Sequence, residues 1–509
     1  MKQARSISRR FPDYGWAWPT GGLDRLLKAA MLSDDNEAER IALAWLDDHD
    51  INDVGFADHR LLAAITDRFG KRLASHPAYP RLAGLQKMLW SHSRITFREA
   101  RPVLAALAEA GCPVMLLKGA SRVAISPADQ RGRVSHDVDI LVRPDRMAEV
   151  LDILLAADWK ASTGVGPLYL KTIISSVRAL NFYKGEYGDL DLHQGAYRPF
   201  HHDPEDDEAL WRRSVEASLE GVPVLVPSPA DRISLAIGHS GLEAHVHSDW
   251  LVDIDNTIRK HEVEWPVLLK TIEARGLAVP AAISLGYLKR VIGTPLPEDV
   301  LADVVDLADR AGIASRASVL EAKPRRDFSR LSGVARGVLK QLRLFASRPK
   351  MRAKTQPKTR AGNGETWRAR SQRADNEPNR AGQSASCSLQ LPPGIEGKTP
   401  ASLEIVIDIE TPAHGRRFEF ELSTPQRHLA RLRYRRLFGG KGVRRLRFRG
   451  DVELLGGDKA LFLEARPSRH FRNWDNARDL SRYGAVPFTL DLARLRVPGE
   501  TVALKASDV

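Results

Sequence analysis

Cysteine is nearly absent: Cys112 and Cys387 are the only two in 509 residues. Two thiols this far apart exclude a disulfide-stapled scaffold and a thiolate zinc site. Long apolar runs are missing too, and none reaches the length needed to cross a bilayer. The first residues, MKQARSISRRFPDYGWAWPT, are basic but lack the apolar core of a signal peptide. No segment repeats at a solenoid or propeller period. These absences predict a cytoplasmic protein without a membrane span. What is present is a globular composition, 43% hydrophobic and 28% charged. The chain is too long for one core, so several domains are expected.

The net charge of +13 suggests a polyanion partner until its position is examined. Ten basic residues stand against three acids between Arg348 and Arg380, which accounts for over half of the excess. That segment is rich in Gln, Asn, Pro and Gly and poor in apolar residues, so a solvated, disordered linker is expected over 346–384. Weak, salt-sensitive contact with a polyanion is the alternative use of its charge. Function is therefore sought elsewhere.

Apolar residues spaced at three and four predict helices through residues 1–110, as in ERIALAWLDDH and HRLLAAITDRFGKRLASH. Residues 111–228 change texture. PVMLLKG reads as a buried strand and its turn, HDVDILV as a second strand, and RALNFYKGEYGDLDLHQG as a hairpin. Helical spacing returns over 229–345. Beyond the basic segment, SLEIVIDIE, RRFEFELST and RRLRFRGDVELL alternate apolar and polar residues, so 385–509 reads as a sandwich-like β domain. The expected fold class is α+β: a small mixed-sheet core flanked by helices, with an all-β domain after it.

Chemistry is concentrated in the core. Asp-x-Asp occurs at Asp48/Asp50, Asp137/Asp139, Asp189/Asp191 and Asp253/Asp255. Side chains two apart share a face on a strand and diverge by about 200° on a helix. The Asp253/Asp255 pair falls on a helix, and Asp48/Asp50 on a polar helix end. Asp137 and Asp139 fall on a strand, where two like charges side by side call for a cation. Asp189, Asp191 and His193 share a face of a later strand. Asp191 is preferred over Asp189 because it lies mid-strand between two leucines. A glycine turn at Lys118-Gly119 would let backbone N–H groups approach phosphate, with Lys118 as a point charge. His193 is either a neighbour of the metals or a structural hydrogen-bonding group. The histidines at His201, His202 and His245–His247 offer no convincing set of metal ligands. RHFRNWDNARDLSRYG could stack on bases or sugars, or pin a loop to the sandwich.

The order of glycine turn, apolar-Asp-apolar-Asp and a third strand carboxylate resembles the DNA-polymerase-β-like nucleotidyltransferase superfamily. More narrowly, residues 90–295 resemble the bacterial group called uncharacterised nucleotidyltransferases. The matching positions are Leu116 to Gly119, Arg133, Asp137, Asp139, Asp191 and His193, with His239, Trp250, Asp253 and Trp265 downstream. The resemblance implies that Asp137, Asp139 and Asp191 are catalytic and bind Mg²⁺ or Mn²⁺. It also implies that Lys118, Gly119 and Arg133 contact the nucleotide. The reaction would move a nucleoside monophosphate from an NTP, ATP being the first candidate, to an acceptor hydroxyl. Two positions depart from the pattern. Lys118-Gly119 stands where the superfamily has Gly-Gly or Gly-Ser, and Gln194 stands where the group often has Trp. Two other functions compete: a glycosyltransferase using Asp-x-Asp, and a catalytically silent fold acting as a binding or scaffold module.

Overall fold

The computed structural model describes residues 15–162, 174, 178–198, 201, 204–242, 248–312, 315–316, 318, 365–368, 370–373, 386–411, 417–424, 428–435, 442–467 and 488–507. The first α-helices among the described residues are α1 (Gly21–Met31), α2 (Asp35–Asp48), α3 (Phe56–Phe69) and α4 (Tyr79–Glu109). Then come β1 (Met115–Leu116), α5 (Lys118–Ile125), β2 (Val138–Leu141), α6 (Met147–Ala156), β3 (Lys160–Ala161), β4 (Ala179–Lys184) and β5 (Gly188–His193). These are followed by α7 (Pro204–Arg212), β6 (Val215–Leu219), β7 (Val222–Val226), α8 (Pro229–Ser240), α9 (Asp249–Lys260), α10 (Trp265–Ala274), α11 (Ala278–Tyr287) and α12 (Glu298–Arg310). The chain is mixed α and β, as its patterning predicts. By its internal contacts it divides into residues 1–146 with 183–350, and residues 147–182 with 351–509.

Sequence chemistry sets the helix boundaries that matter here. Asp34 caps α2 by accepting hydrogen bonds from the Asn36 and Glu37 N–H groups. Ser228 caps α8 by accepting from the Asp231 N–H, with Pro229 as the first helical residue. The helices before and after the sheet share one hydrophobic core. Leu26, Trp45, Leu61 and Ile65 pack in the same cluster as Ile233, Ile237, Leu251, Ile254 and Val304. Residues more than two hundred positions apart thus bury each other's apolar stripes, which periodicity by itself cannot pair.

The first sheet is mixed and seven-stranded, in the order β3-β4-β5-β2-β1-β7-β6. β2 runs parallel to β5, with Val138 opposite Leu190, Asp139 opposite Asp191 and Leu141 opposite His193. β1 pairs antiparallel with β2 and parallel with β7. The β6–β7 hairpin is the part that apolar alternation leaves unannounced. Its turn is Glu220-Gly221, both at positive φ (49° and 80°), the backbone of a tight primed hairpin turn. Asn-Gly or Asp-Gly would have flagged it; Glu-Gly does not.

The C-terminal residues form two further sheets. One has the order β18-β10-β15-β12-β13-β8 and the other β17-β16-β11-β14-β9. The strands are β8 (Glu365–Arg368), β9 (Arg370–Arg373), β10 (Ser386–Gln390), β11 (Lys398–Thr411), β12 (Arg417–Ser423), β13 (His428–Arg435), β14 (Gly442–Leu455), β15 (Ala460–Pro467), β16 (Phe488–Val497), β17 (Glu500–Ala503) and β18 (Ala506–Ser507). Leu403, Ile405, Phe420, Leu432, Phe448, Leu463 and Leu495 from the two sheets make one core, so this is a sandwich. Within the segment expected to be disordered, β8 and β9 are strands. β8 runs parallel to β13 and β9 antiparallel to β14, which corrects the reading of a linker throughout. Their unpaired backbone groups gain ladder partners at the two sheet edges, a long-range gain that composition does not report. The other basic residues of that segment, the strip RHFRNWDNARDLSRYG, His202 and His245–His247 lie outside the described residues.

Candidate metal and nucleotide site

The parallel register of β2 and β5 builds the site. Directly opposed residues on neighbouring strands stand about 5 Å apart, so Asp139 and Asp191 lie side by side. His193, two residues further along β5, is on the same face. One ligand atom each from Asp139, Asp191 and His193 fall within 4.8 Å of one another, close enough to share a cation. Asp139 and His193 are buried and Asp191 is half-buried. His193 Nε2 lies 3.0 Å from Asp139 Oδ1, and Lys118 Nζ donates to the same oxygen at 2.5 Å.

Electrostatics sorts the carboxyls. Burial works against the Asp139 charge, but the Lys118 ammonium and the His193 ring outweigh it and hold this carboxyl well below its usual range. For Asp191 the balance is reversed: burial, then the Asp139 charge, outweighs the Lys118 ammonium and pushes it up to about 8. Asp137 is raised by burial and by Asp139. Asp189 is raised to about 6 by burial and by Asp137 and Asp139. Asp137 is therefore within electrostatic reach of the cluster without belonging to the tight group of three. Asp189 joins the same field from the exposed start of β5, on the face that strand alternation assigned to it. Four carboxyls thus crowd one place. The Lys118 amine is itself raised, because their charges overcome its burial.

Lys118 adopts φ 49°, the left-handed region that a side chain enters at a cost of about 1 kcal/mol or more. That backbone is the one that glycine adopts most freely. Its neighbour Gly119 is needed for a different reason. A Cβ there would lie 2.1 Å from Ser135 Oγ and 3.1 Å from the Arg133 guanidinium carbon. Gly119 is buried against residues 133–135, so its absent side chain faces that loop. A backbone hydrogen bond from Leu117 N–H to the Asp139 carbonyl, 3.0 Å, ties the turn to β2.

Arg133 is not gathered with the carboxyls. Its Nε donates to both Asp253 oxygens at 2.9 Å, one terminal nitrogen lies 3.1 Å from Asp249, and the same nitrogen donates to the Val134 carbonyl at 2.8 Å. Arg122 reaches Asp253 at 3.0 Å, and Arg60 of α3 pairs with Asp249. Arg133 is buried, and the two aspartates of α9 raise its pKa. It fastens α9 to the loop beneath Gly119. The α9 pair behaves as helical spacing requires. Asp253 faces Arg133, while Asp255 turns away to Arg259 (2.9 Å) and Thr294 (2.6 Å). His201 is likewise structural, its Nδ1 lying 2.6 Å from the Arg275 carbonyl.

This turn, carboxylate pair and third carboxylate lie within a recognised span. Residues 57–293 match the family described as uncharacterised nucleotidyltransferase. The match bears out the resemblance read from the motifs. It also starts earlier, within α3, so the matched span takes in Arg60 as well as α8 to α11 after the sheet. No curated protein and no solved structure matches the chain. Among the described residues, no helix is long and apolar enough to cross a membrane.

Proposed function

We propose that the protein transfers a nucleoside monophosphate from an NTP to an acceptor hydroxyl, with Mg²⁺ or Mn²⁺ at Asp139 and Asp191. The observation that carries this reading is the level pairing of those two carboxylates on adjacent parallel strands, with His193 beside them. The donor set fits a divalent cation: carboxylate oxygens suit Mg²⁺ and Mn²⁺, and an imidazole is compatible with Mn²⁺. The raised carboxyls of Asp137, Asp189 and Asp191 point the same way, since their crowding calls for more positive charge than Lys118 supplies. When bound, such a cation would hold triphosphate oxygens and offset the charge that develops during transfer.

The chain's own residues take the remaining roles. Asp139 and Asp191, joined by Asp137, are the ligands. Lys118 neutralises Asp139 in the protein alone and, released by a cation, is placed to meet a phosphate. The α5 N-terminus behind Gly119 directs its N–H groups to the same region. Asp191 orients the acceptor hydroxyl. Arg133, assigned from the sequence to the nucleotide, is reassigned here to positioning the Gly119 loop. The domain boundaries 1–110, 111–228, 229–345 and 385–509 belong to the same reading, with β8 and β9 added to the last.

One observation favours a catalytically silent fold: Lys118 and His193 already satisfy Asp139. A glycosyltransferase fits less well, because α1–α4 precede the motif where a nucleotide-binding α/β stretch would be needed. Incubation with each α-labelled NTP, Mg²⁺ or Mn²⁺ and a cell extract tests the proposal. Label should enter one molecular class and be lost with Asp139→Asn. Failure to bind any Mg²⁺-nucleotide would favour the silent reading instead.

A further inference from the structure

A row of rings borders the carboxylates at the N-terminal ends of β2 and β5. Phe56, the first residue of α3, packs edge-to-face on His136, with ring centroids 4.8 Å apart. His136 meets His92 of α4 at 4.2 Å, and His92 meets Tyr187 at 5.1 Å. His136 immediately precedes Asp137, and Tyr187 lies two residues before Asp189, so the row touches both carboxylate-bearing strands. The row is also open. Phe56 is 49% exposed, and His92, His136 and Tyr187 are half-buried. Packing by itself does not require a phenyl ring at the solvent-facing end of a helix. One polar atom in the row is unmatched: His136 Nε2 is buried with no hydrogen-bond partner. The Arg60 guanidinium stands 5.9 Å over the Phe56 ring, adding positive charge beside it.

We propose that Phe56, His92, His136 and Tyr187 form the platform on which the nucleobase of the NTP stacks. This rests on the nucleotide reading given above and adds the group that reads the base. Flat rings without fixed charge suit the face of a heterocycle. With the triphosphate at the carboxylates, the base would have only a short reach to this row, which begins one residue from Asp137 and two from Asp189. Stacking tolerates any base, so purines, with the larger face, should bind more tightly than pyrimidines by a modest factor.

The test compares Mg²⁺-ATP with Mg²⁺-tripolyphosphate binding to the full-length chain. Tripolyphosphate reports the carboxylate and phosphate site without a base. ATP should bind about tenfold more tightly or better, the size expected of one stacked base. Phe56→Ala and Tyr187→Ala should each erase most of that advantage while tripolyphosphate affinity stays unchanged, which also shows the fold intact. Tyr187→Leu, which keeps bulk without a ring, decides the case if the alanine variant is unfolded. Equal affinity for the two ligands in the wild type, or variants that keep the ATP advantage, would overturn the platform and leave the phosphate site standing. Binding of neither ligand overturns the nucleotide reading and the platform with it.

Discussion

Asp139 and Asp191 lie level across two strands, yet their surroundings pull their carboxyls in opposite directions. Opposite outcomes should follow from the same substitution. Asp139→Asn removes the partner of Lys118 and His193, and should destabilise the metal-free protein by about 1–3 kcal/mol. Asp191→Asn removes a charge that the folded site disfavours above pH 8, so there it should be neutral or stabilising. Denaturant titration in EDTA distinguishes the two, with the exposed Asp303→Asn on α12 as control. Asp255→Asn would be a poor control, since that side chain is buried against Arg259 and Thr294. A pH dependence follows as well. Asp191, raised to about 8, holds its proton more tightly in the folded chain than in the unfolded one, so stability is lost as pH rises. His136, lowered to about 4 by burial and by its neighbours His92 and Arg60, has the opposite effect, but only below its ordinary 6.5. Between pH 6.5 and 8 the metal-free melting temperature should therefore fall, and Mn²⁺ should restore it more at pH 8 than at pH 6.5. A flat or rising profile there would contradict the crowded site. Gly119→Ala should cost about 1–3 kcal/mol through its clash with Ser135, and adding Ser135→Ala should recover part of the loss.

The elements meet through charge as much as through apolar packing. α9 is held to the loop before β2 by Arg133 with Asp249 and Asp253, and Arg122 joins them from α5. Arg133→Gln should lower stability by about 1–3 kcal/mol, because buried Asp249 and half-buried Asp253 lose one of their partners while Arg60 and Arg122 remain. A phosphate ligand would instead show unchanged stability and weaker NTP binding, so thermal denaturation beside NTP titration separates the two roles. Nothing in the spacing of Arg133 from Asp137 indicates this direction. The partner lies 120 residues away, on a helix whose own pattern gives only the face that Asp253 occupies. The helices, β2, β5 and their carboxylate face were legible because each depends on neighbours within four residues. The β6–β7 hairpin was not, since its turn is written in Glu-Gly and its placement beside β1 is a long-range pairing.

At the scale of the whole molecule, the sandwich core draws on β10 to β16, while β8 and β9 each occupy a sheet edge. A fragment of residues 361–509 should fold alone, with a β-type circular dichroism spectrum and one cooperative transition. A fragment starting at residue 386 lacks both edge strands and should melt lower or aggregate, since each sheet then exposes an unpaired edge. Equal stability of the two fragments would make β8 and β9 dispensable, and the original boundary at 385 would stand.

The sequence by itself determined the mixed fold class, the change to an all-β domain, the carboxylate-bearing strands and the family resemblance. All of these are written in periods of two and of three to four residues, or in short motifs. Only the tertiary structure decided that Asp191 stands level with Asp139, that His193 completes their group and that Asp189 shares their field. It alone turned Arg133 toward α9 and joined the outer helices into one core. The physical reason is range: alternation and helical periodicity are local, whereas register, ion pairing and the packing of apolar stripes depend on chain segments brought together only by folding.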